Sequence, residues 1–172
     1  MSNCYTEFYE EVYDIGPIEQ QWLSTILGYV GETGVTLKDL KADCPHCTRA
    51  DLDLLALLCQ DNDCCGFEYH FLNCIGTDGV IFTIQGVGCG DVEQVAVLMA
   101  AFLKKFRPRK HFSMTYAVHG DGESTGGGIL VTAPKTYWYN PNYLIDQQIQ
   151  KLAAAAKKER AAKRSTKRSK KG

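Results

Sequence analysis

Asp91-Val92-Glu93-Gln94-Val95-Ala96-Val97-Leu98-Met99-Ala100-Ala101-Phe102-Leu103-Lys104-Lys105-Phe106-Arg107-Pro108 carries every mark of one complete helix. Asp91 offers a side-chain acceptor to the orphan N–H groups of a first turn, with Gln94 three residues on. Val92, Val95, Ala96, Met99, Phe102, Leu103 and Phe106 fall on one apolar stripe. Lys104, Lys105 and Arg107 suit the negative end of the helix dipole, and Pro108 stops the helix. A helix with a single apolar stripe needs one layer to lie against, and its flanks supply that layer. Upstream, Phe67, Tyr69, Phe71 and then Val80, Phe82, Ile84 alternate with period two, and Asp78-Gly79 between them predicts a hairpin. Downstream, Phe112, Met114, Tyr116 and Val118 alternate as a strand. A Gly-rich loop is expected over residues 120–128, and Ile129, Val131 and Ala133 open another strand.

Further out, Tyr5, Glu7, Tyr9, Glu11 and Tyr13 share one face of an opening strand, with Phe8 and Val12 on the other. Tyr5, Tyr9 and Tyr13 also fit helical spacing. Pro17 suits a helix first turn, followed by Ile18, Trp22, Leu23, Ile26 and Leu27 on one side, with Gly28 and Gly31 at its end. Residues 32–66 form a Cys-rich insertion in which Thr48 and Asp51 resemble a capping box ahead of Leu52, Leu55, Leu58 and Cys59. Asn140 and Pro141 begin a last helix with Ile145, Ile149, Leu152 and Ala156 facing inward. The order β-α-(helical insertion)-ββ-α-ββ-α predicts a two-layer α+β fold, its sheet mostly antiparallel and its helices on one face. One domain is expected over residues 1–156, with a disordered basic tail over 157–172.

The 172 residues, 45% of them hydrophobic, suffice for a real core. No stretch reaches the ~20 apolar residues of a membrane span, and the opening residues lack a secretory pattern, which predicts a cytoplasmic protein without membrane partners. The eight cysteines are accordingly read as reduced thiols rather than a disulfide framework. The net charge of −1 conceals segregation. Residues 151–172 hold ten of the nineteen Lys and Arg against Glu159 alone, so the tail is near +9 and residues 1–150 near −10.

Two segments resemble a group of small uncharacterised proteins encoded by phages and other mobile elements. One runs from Gly90-Asp91-Val92-Glu93-Gln94-Val95 to Phe106-Arg107-Pro108, the other from Thr115-Tyr116-Ala117 to Gly126-Gly127-Gly128-Ile129-Leu130-Val131-Thr132. The shared pattern is a helix ending in a Phe-rich turn, a strand, a Gly-Glu-containing loop and a triple glycine. It covers the central third to half of the chain, and the Cys-rich insertion and basic tail depart from it. The resemblance implies a mobile-element origin and no particular chemistry.

Lys157, Lys158, Arg160, Lys163, Arg164, Lys167, Arg168, Lys170 and Lys171 lie in a segment with no apolar stripe. Cations in such an arm neutralise phosphates and release counterions, which predicts nucleic-acid contact without sequence readout. A solvated end or an import signal are the other readings. Cys44-Pro45-His46-Cys47 has metal-ligand and redox spacing, and Cys44, Cys47, Cys64 and His70 make a candidate zinc set. The missing second CxxC favours ordinary thiols and no cofactor. Gly86-Val87-Gly88-Cys89-Gly90-Asp91 has the place of a phosphate loop, but Asp91 at the helix start would repel phosphate, so a tight turn is expected. His119, Asp121 and Glu123 could hold a hard cation or do acid–base work, although turn chemistry alone explains Asp and Gly there. The functional expectation is a non-enzymatic accessory or binding protein of a phage or mobile element. Its acidic body would dock on a host or phage protein, inhibiting a host nucleic-acid-handling or defence system, while the tail touches nucleic acid. The alternative is a metal-dependent enzyme using the Cys-rich insertion or the His119 loop.

Overall fold

In the computed structural model of the chain, residues 5–59, 66–73, 79–86, 90–120 and 123–139 are described. The helix expected from Asn140 onward and the basic tail lie outside them. The elements in chain order are β1 (Tyr5–Ile15), α1 (Pro17–Gly28), α2 (Leu37–Asp43), α3 (Arg49–Leu58), β2 (Glu68–Asn73) and β3 (Val80–Gly86). They continue with α4 (Val92–Phe106), β4 (His111–Gly120), β5 (Glu123–Thr132) and β6 (Thr136–Tyr139). The fold is two-layer α+β, with one sheet in the order β2-β3-β1-β4-β5-β6.

The sheet's logic follows from β1. Its second half pairs antiparallel with β3 and its first half antiparallel with β4, and Phe8 belongs to both registers, opposite Gly86 and Tyr116. Strands β3 and β4 therefore run parallel with β1 between them, and the helix joining them must cross over β1. That crossover is α4, which is why its apolar stripe is the cleanest in the chain. The stripe meets the inward side chains Phe8, Phe82, Ile84, Phe112, Met114, Ile129 and Val131, all buried. Leu98, outside the predicted stripe, is also fully buried, because α1 and α3 flank α4 and widen the face it must cover.

Two polar networks fix the helical layer. Asp51 at the start of α3 accepts from Trp22 Nε1 (2.8 Å), Thr48 N (2.6 Å), Thr48 Oγ1 (2.8 Å) and Lys105 Nζ (2.7 Å). Burial pushes its carboxyl pKa up, but the Lys105 ammonium and the Thr48 and Trp22 donors outweigh this and hold it below the usual value. At the far end of α4, Arg107 donates to both Glu19 oxygens (2.8 and 2.7 Å) and to the carbonyls of Tyr13 (2.9 Å) and Asp14 (2.6 Å). Those carbonyls belong to a β-bulge, where the register shifts between Val12 and Ile15 and Asp14 takes a φ of 57°. Gln94 ties the other end of α4 down, donating to Leu58 O (2.9 Å) and accepting from Gly66 N (2.8 Å). At Gly66 a Cβ would lie 2.4 Å from that of Asp91, so only glycine fits.

The structure corrects three expectations. Residues 123–128 are not loop: Gly120 pairs with Glu123, and Gly126, Gly127 and Gly128 lie inside β5 opposite Ala117, Tyr116 and Thr115. A Cβ on Gly126 would stand 3.0 Å from Tyr116 O, so the glycines serve close strand approach. The insertion holds two helices, since Thr36 and Asp39 cap α2 by the same device as Thr48 and Asp51 in α3. Its Leu40, Leu54, Leu55 and Leu58 are part of the one core. The strand β6 was not anticipated, because four residues leave no period to read.

Leu103 is 2% exposed within this core, so Leu103→Ala is expected to cost ~2–5 kcal/mol in denaturant unfolding. A loss under ~0.5 kcal/mol would show that α4 presents another face. Because the Asp51 pKa is depressed in the folded state, its contribution is present above the unfolded-state carboxylate pKa of ~3.9 and is lost as pH falls through the folded value. Asp51→Asn is therefore expected to lower stability at pH 7 and to flatten the acid limb of the stability–pH curve. An unchanged acid limb would remove Asp51 from this role.

Candidate interaction face

The helices cover one side of the sheet, and the registers determine what the other side carries. The row Glu68, Gln85, Tyr9 crosses β2, β3 and β1, and the next row is His70, Thr83, Glu11. On β4, Ala117 lies opposite Glu7, and Ser113, Thr115 and His111 continue the same face. Among the described residues of this outer face Tyr9, Tyr13 and Leu72 are 53%, 56% and 48% exposed, while Thr83 between His70 and Glu11 is buried. None of the six strands contains a Lys or an Arg.

Period-two alternation sets Tyr9, Glu11 and Tyr13 side by side on β1, and their chemistry couples them. Tyr9 Oη donates to Glu11 Oε1 at 2.6 Å, and Tyr13 Oη donates to the other carboxylate oxygen. The two phenols, Tyr13 first, hold the Glu11 carboxyl below its usual pKa and so keep it charged. Gln85 Nε2 orients Glu68 at 2.7 Å, and Glu7 Oε2 lies 3.4 Å from His119 Nε2. Charged carboxylates interleaved with exposed phenol rings suit a cationic ligand, which gains both ion pairing and ring contact.

The other candidates separate. Cys44 and Cys47 are brought together in the turn between α2 and α3, where Cys47 N donates to Cys44 O at 2.9 Å, and both side chains are buried. Burial, and then the neighbouring Cys44 thiol, push the Cys47 pKa up to about 12, the opposite of what a nucleophilic thiol needs. His70 is exposed on the outer face of β2, whereas Tyr69 and Phe71 beside it turn to the helical layer that holds the two cysteines. The sheet thus stands between His70 and the CxxC. Cys64 lies outside the described residues, among which no group of three or more His, Cys, Asp or Glu could hold a metal ion. His119 is on β4 next to Glu7. Asp121 and the Glu123 side chain lie outside the described residues, as do the nine tail cations from Lys157 to Lys171. At Gly86 and Gly90 an added Cβ would meet the Phe8 ring at 2.4 and 2.6 Å, and residues 87–89 of the glycine-rich turn lie outside the described residues.

The Tyr–Glu face is legible in the alternation of residues 5–13, whereas the absence of Lys and Arg from the strands shows only when they are counted along all six. Among the described residues, no helix is long and apolar enough to cross a membrane. No family model, curated protein or solved structure matches this chain.

In the native protein Cys44 and Cys47 are expected to resist a thiol-labelling reagent at mildly alkaline pH and to label fully once unfolded, as mapped by mass spectrometry. Rapid native labelling of either would contradict their burial.

Proposed function

We propose that this is a non-enzymatic accessory protein of a phage or mobile element that works by binding two partners of opposite charge. The acidic, tyrosine-bearing sheet face docks on a basic protein surface, of the kind by which host proteins hold nucleic acid. The basic tail contacts nucleic acid without reading sequence. The observation that carries this reading is an outer face that, among the described strands, has Glu7, Glu11 and Glu68 and no Lys or Arg, set in a chain whose positive charge is concentrated in residues 151–172. Such a face presents negative charge on a rigid scaffold, as a nucleic-acid backbone does, and would compete for the same protein surface. The buried titratable groups support the reading from the other side. Asp51, Lys105, Glu19 and Arg107 are consumed in joining elements, and the Cys44 and Cys47 side chains are both buried.

The test compares the full chain with a variant lacking residues 157–172, titrated with mixed-sequence DNA and RNA at two salt concentrations. The full chain is expected to bind weakly, with log K falling against log salt by ~0.7–0.9 per phosphate neutralised. The shortened variant is expected to lose that binding and keep its melting temperature. Equal binding by both, or none by the full chain at low salt, would dismiss the tail. For the face, an arginine-rich peptide is expected to bind the shortened variant and to be lost in Glu7→Lys with Glu11→Lys. Retention there would dismiss the face.

A further inference from the structure

Among the described residues, a groove of about 920 Å³ runs along α3 and α4 and is bordered by β6. The two helices are antiparallel: Lys105 near the end of α4 bonds Asp51 at the start of α3, and Gln94 near the start of α4 bonds Leu58 at the end of α3. From α4 the groove is lined by Glu93, Ala96, Val97, Ala100, Ala101 and Lys104. Leu57 of α3 and Trp138 of β6, 52% and 49% exposed, flank it. Apolar side chains of this size left open on both flanks mark a contact surface.

We propose that the occupant of this groove is a second copy of the chain, related by a twofold axis that sets the two α4 helices antiparallel. The argument rests on self-complementarity. Glu93 and Lys104 are eleven residues apart, ~16 Å along the helix, and equidistant from the point between Leu98 and Met99. An axis through that point brings Glu93 of each copy to Lys104 of the other, twice over. The same operation lays Val97 of one copy against Ala100 and Ala101 of the other. The partly exposed Ala100 and Ala101 on this face let the helix backbones approach closely, with the bulkier Leu57 and Trp138 closing the sides. A twofold interface must complement itself, and a face with opposite charges at its two ends and small residues between them does so. Within the chain, neither the Glu93 nor the Lys104 side chain takes part in an ion pair or hydrogen bond among the described residues, so both are available across the interface.

The test is sedimentation of the full-length chain across a wide concentration range, with circular dichroism confirming that each variant is folded. The wild type is expected to shift from monomer towards dimer as concentration rises. Lys104→Glu, which sets like charges opposite each other at both ends, is expected to weaken the dimer about tenfold or more. Glu93→Lys alone should do the same. The double exchange of Glu93→Lys with Lys104→Glu restores both pairs and is expected to return association to near the wild-type level, which no general loss of helix stability would do. Ala100→Arg is expected to abolish it by filling the groove. A wild type that stays monomeric throughout would overturn the proposal, whether another protein or another segment of the chain then takes the groove. So would a dimer that is indifferent to Lys104→Glu and Ala100→Arg, or a double exchange that fails to rescue.

Discussion

The carboxylate of Asp51 sits where α1, α3 and α4 meet, and the helical layer is assembled around it. A buried charge is costly unless it is paired and its lone pairs are filled. Here four donors do this, one from Trp22, two from Thr48 and one from Lys105. The Trp22, Thr48 and Lys105 donors belong to α1, the N-cap of α3 and α4 in turn, so the requirement to satisfy one group sets the register of three helices. Lys105 then donates to His46 O at 3.0 Å, which also pins the turn bearing Cys44 and Cys47. The Trp22 ring lies 5.5 Å from Phe106 and 6.3 Å from Phe102, so the polar anchor is embedded in an aromatic cluster that keeps water from it. Arg107 performs the corresponding task between layers. At the bulge in β1 the Tyr13 and Asp14 carbonyls accept from the Arg107 guanidinium, which also clamps Glu19 at the start of α1.

Topology adds a constraint of a different kind. With β1 inserted between two parallel strands, β3 and β4 cannot pair with each other, and α4 must span the gap over β1. The Phe8 ring lies beneath that crossing and occupies the space where Gly86 or Gly90 would otherwise carry a side chain. One phenylalanine, two glycines and one helix are therefore mutually dependent. Among the described residues the helices pack on one side of the sheet, and the outer face carries polar and aromatic side chains with Glu7, Glu11 and Glu68 and no Lys or Arg.

Much of this was legible in the sequence because strong periodicity reflects one-sided burial. The stripe of α4, the alternation of β1 to β4 and the Thr48–Asp51 cap all express a face turned to a core. What escaped has physical reasons too. Gly126, Gly127 and Gly128 read as loop because glycine reports backbone freedom, whereas here it serves close strand approach. Asp121-Gly122 is the strongest two-residue turn signal in that region of the sequence. The helix α2 has a single buried residue, Leu40, and so no stripe to detect. The tertiary roles of Asp51 and Arg107 join residues 54 and 88 positions apart in sequence from their partners, and spacing carries no trace of such pairs. For the candidate face, the Tyr–Glu alternation was visible, but its continuation across β2 and β3 depends on register.

Among the described strands the open sheet also has two rims, β2 and β6, each with a strand neighbour on one side only in the order of the sheet. Such rims invite another chain to add on, and proteins commonly guard them with lysine or proline inside the strand. The sequences Glu68–Asn73 and Thr136–Tyr139 contain neither. At β6 the guard is brevity, four residues with Pro134 just ahead of them. At β2 it is the charge and polarity of Glu68, His70 and Asn73 around an exposed Leu72. The same absence of cations that makes the face attractive to a basic partner therefore leaves β2 as the strand on which resistance to fibrillar self-assembly depends.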